Sequence, residues 1–118
     1  MENKQNNYDL EERTYQFARD VRNFVKLAFK TISGIEDSKQ LIRSSGSVAA
    51  NYIEANESLS KKDFAMRIKI CRKEAKESIL WLRLLESPDN NHETTRRKLV
   101  QEATELMKIM SAIMHKCD

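Results

Sequence analysis

Apolar and small residues recur along most of this chain at alternating spacings of four and three, the repeat that lines one face of an α-helix. Leu10, Thr14, Phe17, Val21, Phe24 and Ala28 form the first such lane, and Ala18, Val25, Phe29 and Ile32 widen it. The pattern predicts a first helix to about Ser33, opened by Asp9 with Glu12 and stopped by Gly34, a residue tolerant of positive φ. Asp37 with Gln40 opens a second helix that runs to about Asn56. Ser60 answered by Asp63 caps a third, with Leu59 expected to pack over Phe64 as a staple. Its core side carries Ile68, Cys71, Ala75, Ser78, Leu82 and Leu85. Pro88 and the Asp89-Asn90-Asn91 run end that segment, and Asn90 with Glu93 opens a fourth. Its seam is Leu99, Ala103, Leu106, Met110, Ile113 and Cys117. Helices joined by so few residues must run antiparallel to their sequence neighbours. The expectation is an all-α, up-down-up-down four-helix bundle over residues 9–118, after a disordered start at 1–8.

The second helix departs from the rest. Ser44-Ser45-Gly46-Ser47-Val48-Ala49-Ala50-Asn51-Tyr52-Ile53 carries no charge, although 33% of the chain is Asp, Glu, Lys or Arg. Leu41, Ser45, Val48, Tyr52 and Ala55 mark one lane; Gln40, Ser44, Ser47, Asn51 and Glu54 mark a second, with Gly46 and Ala50 on the far side. A rhythm of that length favours a helix over a Ser-Gly turn, even though its Gly and Ser residues cost it roughly 2–3 kcal/mol against Ala. Packing must offset that cost, so the helix reads as slim, for close approach by other helices, including those of neighbouring chains.

Composition narrows the class. The 118 residues with two Gly and one Pro fit one helical domain with a real core. No apolar run nears the ~20 residues of a membrane span, and the polar Met1–Asn7 has no hydrophobic signal region, so a cytoplasmic protein is expected. Cys71 on an apolar stripe and Cys117 at the chain end make no spaced framework, so both are expected as reduced thiols.

The same lanes hold no catalytic pattern. No Glu has a His three residues later, as di-metal carboxylate bundles require. His92 and His115 flank the last helix at opposite ends, and neither they nor the two Cys have zinc spacing. The Ser cluster lacks a partnering His within its own helix. No enzyme, metal or cofactor is expected. Glu74, Glu77, Asn51 and Glu54 lie beside the seams, where carboxylates ordinarily pair with Arg or Lys of a neighbouring helix. A rival reading gives Asn51, Glu54 and Glu77 to an active site between subunits.

Charge is segregated more than its total of +3 implies. Arg19, Arg22, Lys26 and Lys30 share a face of helix one opposite its core stripe. Lys62, Lys69, Lys73, Lys76 and Arg83 occupy about a quarter of the circumference of helix three. Arg96-Arg97-Lys98 sits early in helix four, where the dipole mildly disfavours positive charge. The plain reading of such stripes is a solvated outer face. The functional one is salt-sensitive contact with nucleic-acid backbone, since no base-reading motif is present.

The run Gln40–Ala55, with Ser60-Lys61-Lys62-Asp63-Phe64, Lys73-Glu74-Ala75-Lys76-Glu77-Ser78 and Trp81-Leu82, resembles a family of bacterial four-helix bundles. Its founding members are encoded in intervening sequences of large-subunit ribosomal RNA genes. The accessory variability determinant of diversity-generating retroelements is similar to it too. The resemblance implies a homo-oligomer, as a pentameric ring; for the retroelement relatives it implies a positive barrel that binds nucleic acid and a reverse transcriptase. This chain is only mildly basic by comparison. The expected function is a non-enzymatic scaffold or accessory factor that binds itself and RNA, DNA or a nucleic-acid enzyme. Arg19, Arg22, Lys26, Lys30, Lys69, Lys73 and Lys76 are the candidate nucleic-acid contacts, and Ser44, Ser47, Ala50, Asn51, Glu54 and Trp81 the candidate helix or subunit contacts. The alternative is a purely structural ring with a solvated basic face.

Overall fold

A computed structural model describes the backbone of residues 2–117 and the side chains of residues 10–117. Among the described residues the elements are α1 (Glu2–Lys26), α2 (Ile32–Asn56), α3 (Lys61–Leu84) and α4 (Asn90–Cys117), with no strand. Each helix packs on its sequence neighbour, and α4 returns to α1; among the described residues the backbones of α1 and α3, and those of α2 and α4, stay more than 8 Å apart, and these pairs meet only through core side chains. The helices therefore sit at four corners, with α1 and α3 diagonal. Partners across each seam count in opposite directions. Arg43 and Asn51 of α2 meet Glu74 and Arg67 of α3, and Arg13 and Phe24 of α1 meet Glu102 and His92 of α4.

The apolar lanes carry the core. Thr14, Phe17, Val21, Phe24 and Ala28 of the first are buried, as are Leu41, Ser45, Val48, Tyr52 and Ala55 of the second. Ile68, Cys71, Ala75, Ser78 and Leu82 face them from α3, and Leu99, Ala103, Leu106 and Met110 from α4. Burial pushes the Cys71 thiol up to about 12, and Cys71 and Cys117 are both free. No helix is long and apolar enough to cross a membrane among the described residues.

The ends of the helices differ from the local signals in four places. First, α1 passes through Asp9 instead of opening there; Met1 and the side chains of residues 2–9, where a disordered start was expected, lie outside the described set. Second, α1 ends at Lys26 and α2 begins at Ile32, capped by Thr31, whose hydroxyl accepts from the Gly34 N–H at 3.1 Å. Gly34 therefore lies in the first turn of α2 rather than stopping α1, and Asp37 lies inside that helix. The physical reason for glycine there is space. A Cβ on Gly34 would stand 2.3 Å from the Phe29 carbonyl oxygen, where the chain reverses. Phe29 and Ile32, expected to widen the core stripe, are exposed on this turn.

Third, Ser60 does cap α3, accepting from the Asp63 N–H at 3.1 Å, but Leu59 is 99% exposed and makes no staple. Fourth, α4 is capped one residue earlier than expected: Asp89 Oδ1 accepts from the His92 N–H at 2.9 Å.

Candidate functional site

The slim stretch of α2 is helical throughout, and its small residues let α3 approach closely. Ser44 is wholly buried, its hydroxyl 2.8 Å from that of Ser78, which also reaches the Glu74 carbonyl. The Cys71 thiol donates to the Val48 carbonyl at 3.4 Å. Ions border this neutral centre. Arg43 donates to Glu74 at 3.3 Å and to Glu77 at 3.2 Å, and the Glu74 hydrogen bond raises its pKa. Glu74, expected on the flank, is buried, and its Oε1 has no hydrogen-bond partner. One helical stretch on, Arg67 donates to Asn51 Oδ1 at 3.0 Å and stands 4.0 Å from Glu54, while Asn51 donates to Ser47. The carboxylates thus pair across the seam in the way their positions predicted.

Asn51, Glu54 and Glu77 do not converge. Glu77 belongs to the Arg43 group and the other two to the Arg67 group. Eight residues of α2 separate Arg43 from Asn51, about 12 Å along the axis. Within one chain the rival active site is not assembled. Ala50 points outward, while Gly46 and Ala49 are partly covered, with the Arg22 guanidinium lying over Gly46. Trp81 is partly buried against the core, its indole N–H buried without a partner. Of the six residues predicted as helix or subunit contacts, Ser44 is spent inside the chain. Ser47, Asn51 and Trp81 are partly covered, and Ala50 and Glu54 face solvent.

All seven basic residues predicted to meet nucleic acid are exposed, and among the described residues none has an acidic partner within 4.0 Å. Arg19 donates to the Tyr15 hydroxyl at 3.1 Å and Arg22 to the Ala18 carbonyl at 3.1 Å, so both are held along α1. The structure does not unite the two stripes. The first runs along α1, with Lys30 in the turn after it, and the second along α3, the helix diagonal to α1.

Local pattern missed the chemistry at the start of α4. His92 is buried, stacked on Phe24 with ring centroids 3.8 Å apart. Its Nε2 lies 2.9 Å from the Phe24 carbonyl and its Nδ1 2.8 Å from the Ser87 hydroxyl. Arg96 donates to the Leu82 and Arg83 carbonyls at 3.0 Å each and to Ser87. A cation that its own helix dipole disfavours is thus placed on the carbonyl end of α3, where the dipole favours it. Two side chains of one helix thus reach carbonyls in the last turns of two others. Nothing in local spacing signals this.

On the side where α1 meets α4 a groove of about 580 Å³ opens, lined by Glu12, Arg13, Gln16, Asp20, Lys98 and Glu102 above Phe17 and Leu99. Arg13 bridges it, bidentate to Glu102 at 2.8 Å and in contact with Glu105 at 2.8 Å. Hydrogen bonds from Gln101 and then Arg13 hold the Glu105 carboxyl below its usual range. Among the described residues no group of three or more His, Cys, Asp and Glu is placed to hold a metal ion.

Comparison with known proteins agrees with the bundle. A crystal structure of a protein of unknown function from the S23 ribosomal protein family of Bacteroides thetaiotaomicron VPI-5482 is similar, with a TM-score of 0.77 and 27% identity. The match covers 92% of this chain and 97% of that one. No curated protein matches significantly. The profile for the 23S rRNA-intervening sequence protein matches residues 6–112, nearly the whole bundle, and the chain belongs to that family.

Proposed function

We propose that this protein is a non-enzymatic, homo-oligomeric scaffold: an up-down-up-down bundle that closes into a ring and holds nucleic acid or a ribonucleoprotein. The observation that carries the nucleic-acid part is the run Arg19, Arg22 and Lys26, exposed along α1, with Lys30 exposed in the turn after it, and no carboxylate within ion-pair distance among the described residues. Cations left unpaired among so many acids are free to neutralise phosphates, and each phosphate neutralised releases counterions. Repetition around a ring multiplies that gain. Support for assembly comes from α2, whose outward Ala50 and half-covered Gly46 leave room for a further helix, and from the membership of the family. Antiparallel residue pairs across the α1–α4 and α2–α3 seams support the bundle's topology.

Binding to single-stranded RNA and DNA at about 50 and 200 mM salt tests the reading. The expected result is a dissociation constant that rises by an order of magnitude or more between the two salts, and binding that is lost in Arg19→Glu/Lys26→Glu. No binding, or an affinity indifferent to salt, would leave a purely structural ring. That second reading is favoured by one observation: the α1 and α3 stripes face away from each other.

A further inference from the structure

The α3 stripe has no role in a nucleic-acid contact centred on α1, and the acidic groove between α1 and α4 has none either. We infer that the two belong together across subunits: the α3 ridge of one chain seats in the α1–α4 groove of the next. This rests on the homo-oligomeric reading above and names the surfaces that reading leaves open.

Three observations support it. The groove is lined by more acids than bases, Glu12, Asp20 and Glu102 against Arg13 and Lys98, and Glu105 stands beside it on Arg13. Among the described residues Glu12 has no ion pair, and Asp20 accepts from the Gln16 amide at 2.9 Å. The ridge offers the complement, since Lys73, Lys76 and Arg83 are exposed and, among the described residues, unpaired by any carboxylate.

The third observation is axial register. Arg96 of α4 reaches Leu82 and Arg83 of α3, and Met110 shares a core cluster with Ile68 and Cys71 lower in the same pair. By that alignment Lys76 lies level with Glu102, and Lys73 with Glu105. The α1–α4 pairs, Arg13 with Glu102 and Phe24 with His92, carry the alignment on to α1. They bring Lys76 level with Glu12 and Arg83 level with Asp20, each within about one helical turn. A closed ring about an axis parallel to the bundle displaces neighbours by no axial step. In such a ring Lys73, Lys76 and Arg83, the upper part of the ridge, each face an acid without any shift, while Lys69 and Lys62 fall beyond the groove. Lys98 falls level with Leu80, so it meets an apolar side chain and not a like charge. Because groove and ridge lie on different faces, the contact is head-to-tail, the kind that closes rings.

Sedimentation velocity on the full chain tests this with two charge-reversed pairs of exposed residues, Lys76→Glu/Arg83→Glu and Glu12→Lys/Asp20→Lys. Circular dichroism melts confirm that each variant folds. The expected result is a wild-type oligomer, association weakened about tenfold or more in each variant alone, and recovery when the two are mixed in equal amounts. If the wild type assembles and either variant assembles equally well, or if mixing restores nothing, the groove-and-ridge contact is wrong while the oligomer stands. A Lys76→Glu/Arg83→Glu protein that assembles normally but binds RNA less tightly would assign the ridge to nucleic acid and overturn the inference. A monomeric wild type would remove it together with the reading beneath it.

Discussion

The α2–α3 and α1–α4 seams solve the same packing problem with opposite materials. Between α2 and α3, small side chains meet at the centre, and the Ser44–Ser78 pair lies fully buried. Between α1 and α4, large apolar residues such as Phe17 and Leu99 form the floor, and the Arg13 carboxylate cluster spans an open groove above them. The first seam draws its strength from close approach and dispersion, which tolerate no added volume. The second draws on charged contacts in partial solvent, which are weaker and depend on pH and salt.

The contrast can be broken at three points. Ser78→Leu should be the most damaging, because it drives a branched side chain between helices already in contact and strips Ser44 of its hydroxyl partner. A loss of about 3 kcal/mol in urea unfolding is expected. A loss below about 1 kcal/mol would show that the seam has slack.

Arg13→Gln should cost less, about 0.5–1 kcal/mol after solvent screening of its half-exposed ion pairs. Its signature is in pH. The Glu105 carboxyl is held below its ordinary range in the folded chain, so its contribution is present above the unfolded pKa and is lost as pH falls through the folded value. Melts taken from neutral pH into acid should therefore fall less steeply in Arg13→Gln than in the wild type. Parallel acid limbs would mean that Arg13 does not hold that carboxyl.

The smallest effect is a gain. A Cβ on Gly46 would meet the Arg22 guanidinium at an ordinary 3.7 Å, so Gly46→Ala should stabilise the chain by about 0.5–1 kcal/mol. If sizing shows the oligomer unchanged in that variant while Gly46→Leu disperses it, the slim face of α2 is a contact between chains. A Gly46→Leu protein of unaltered size would return that face to solvent.

The apolar lanes were legible because they are periodic. Phe17, Val21 and Phe24, like Leu41, Val48 and Tyr52, are buried where a helical repeat put them. The Ser60 cap was legible too, since donor and acceptor lie three residues apart in one chain segment. Gly34 misled because a glycine ending a helix and a glycine admitting a neighbouring carbonyl look the same in sequence. Leu59 misled because a staple needs the chain to fold back, and here the turn carries that side chain into solvent.

Periodicity and local hydrogen bonding are properties of neighbours along the chain, so the sequence alone determined four amphipathic helices, their core faces and the cap of α3. The partners of His92, Arg96, Arg13 and Arg43 lie on other helices, up to 89 and 92 positions away for Arg13. Only the packed bundle decided which carbonyl each nitrogen reached, which corner closed, and which acids were left facing out. Those choices depend on distances between segments that no local pattern encodes.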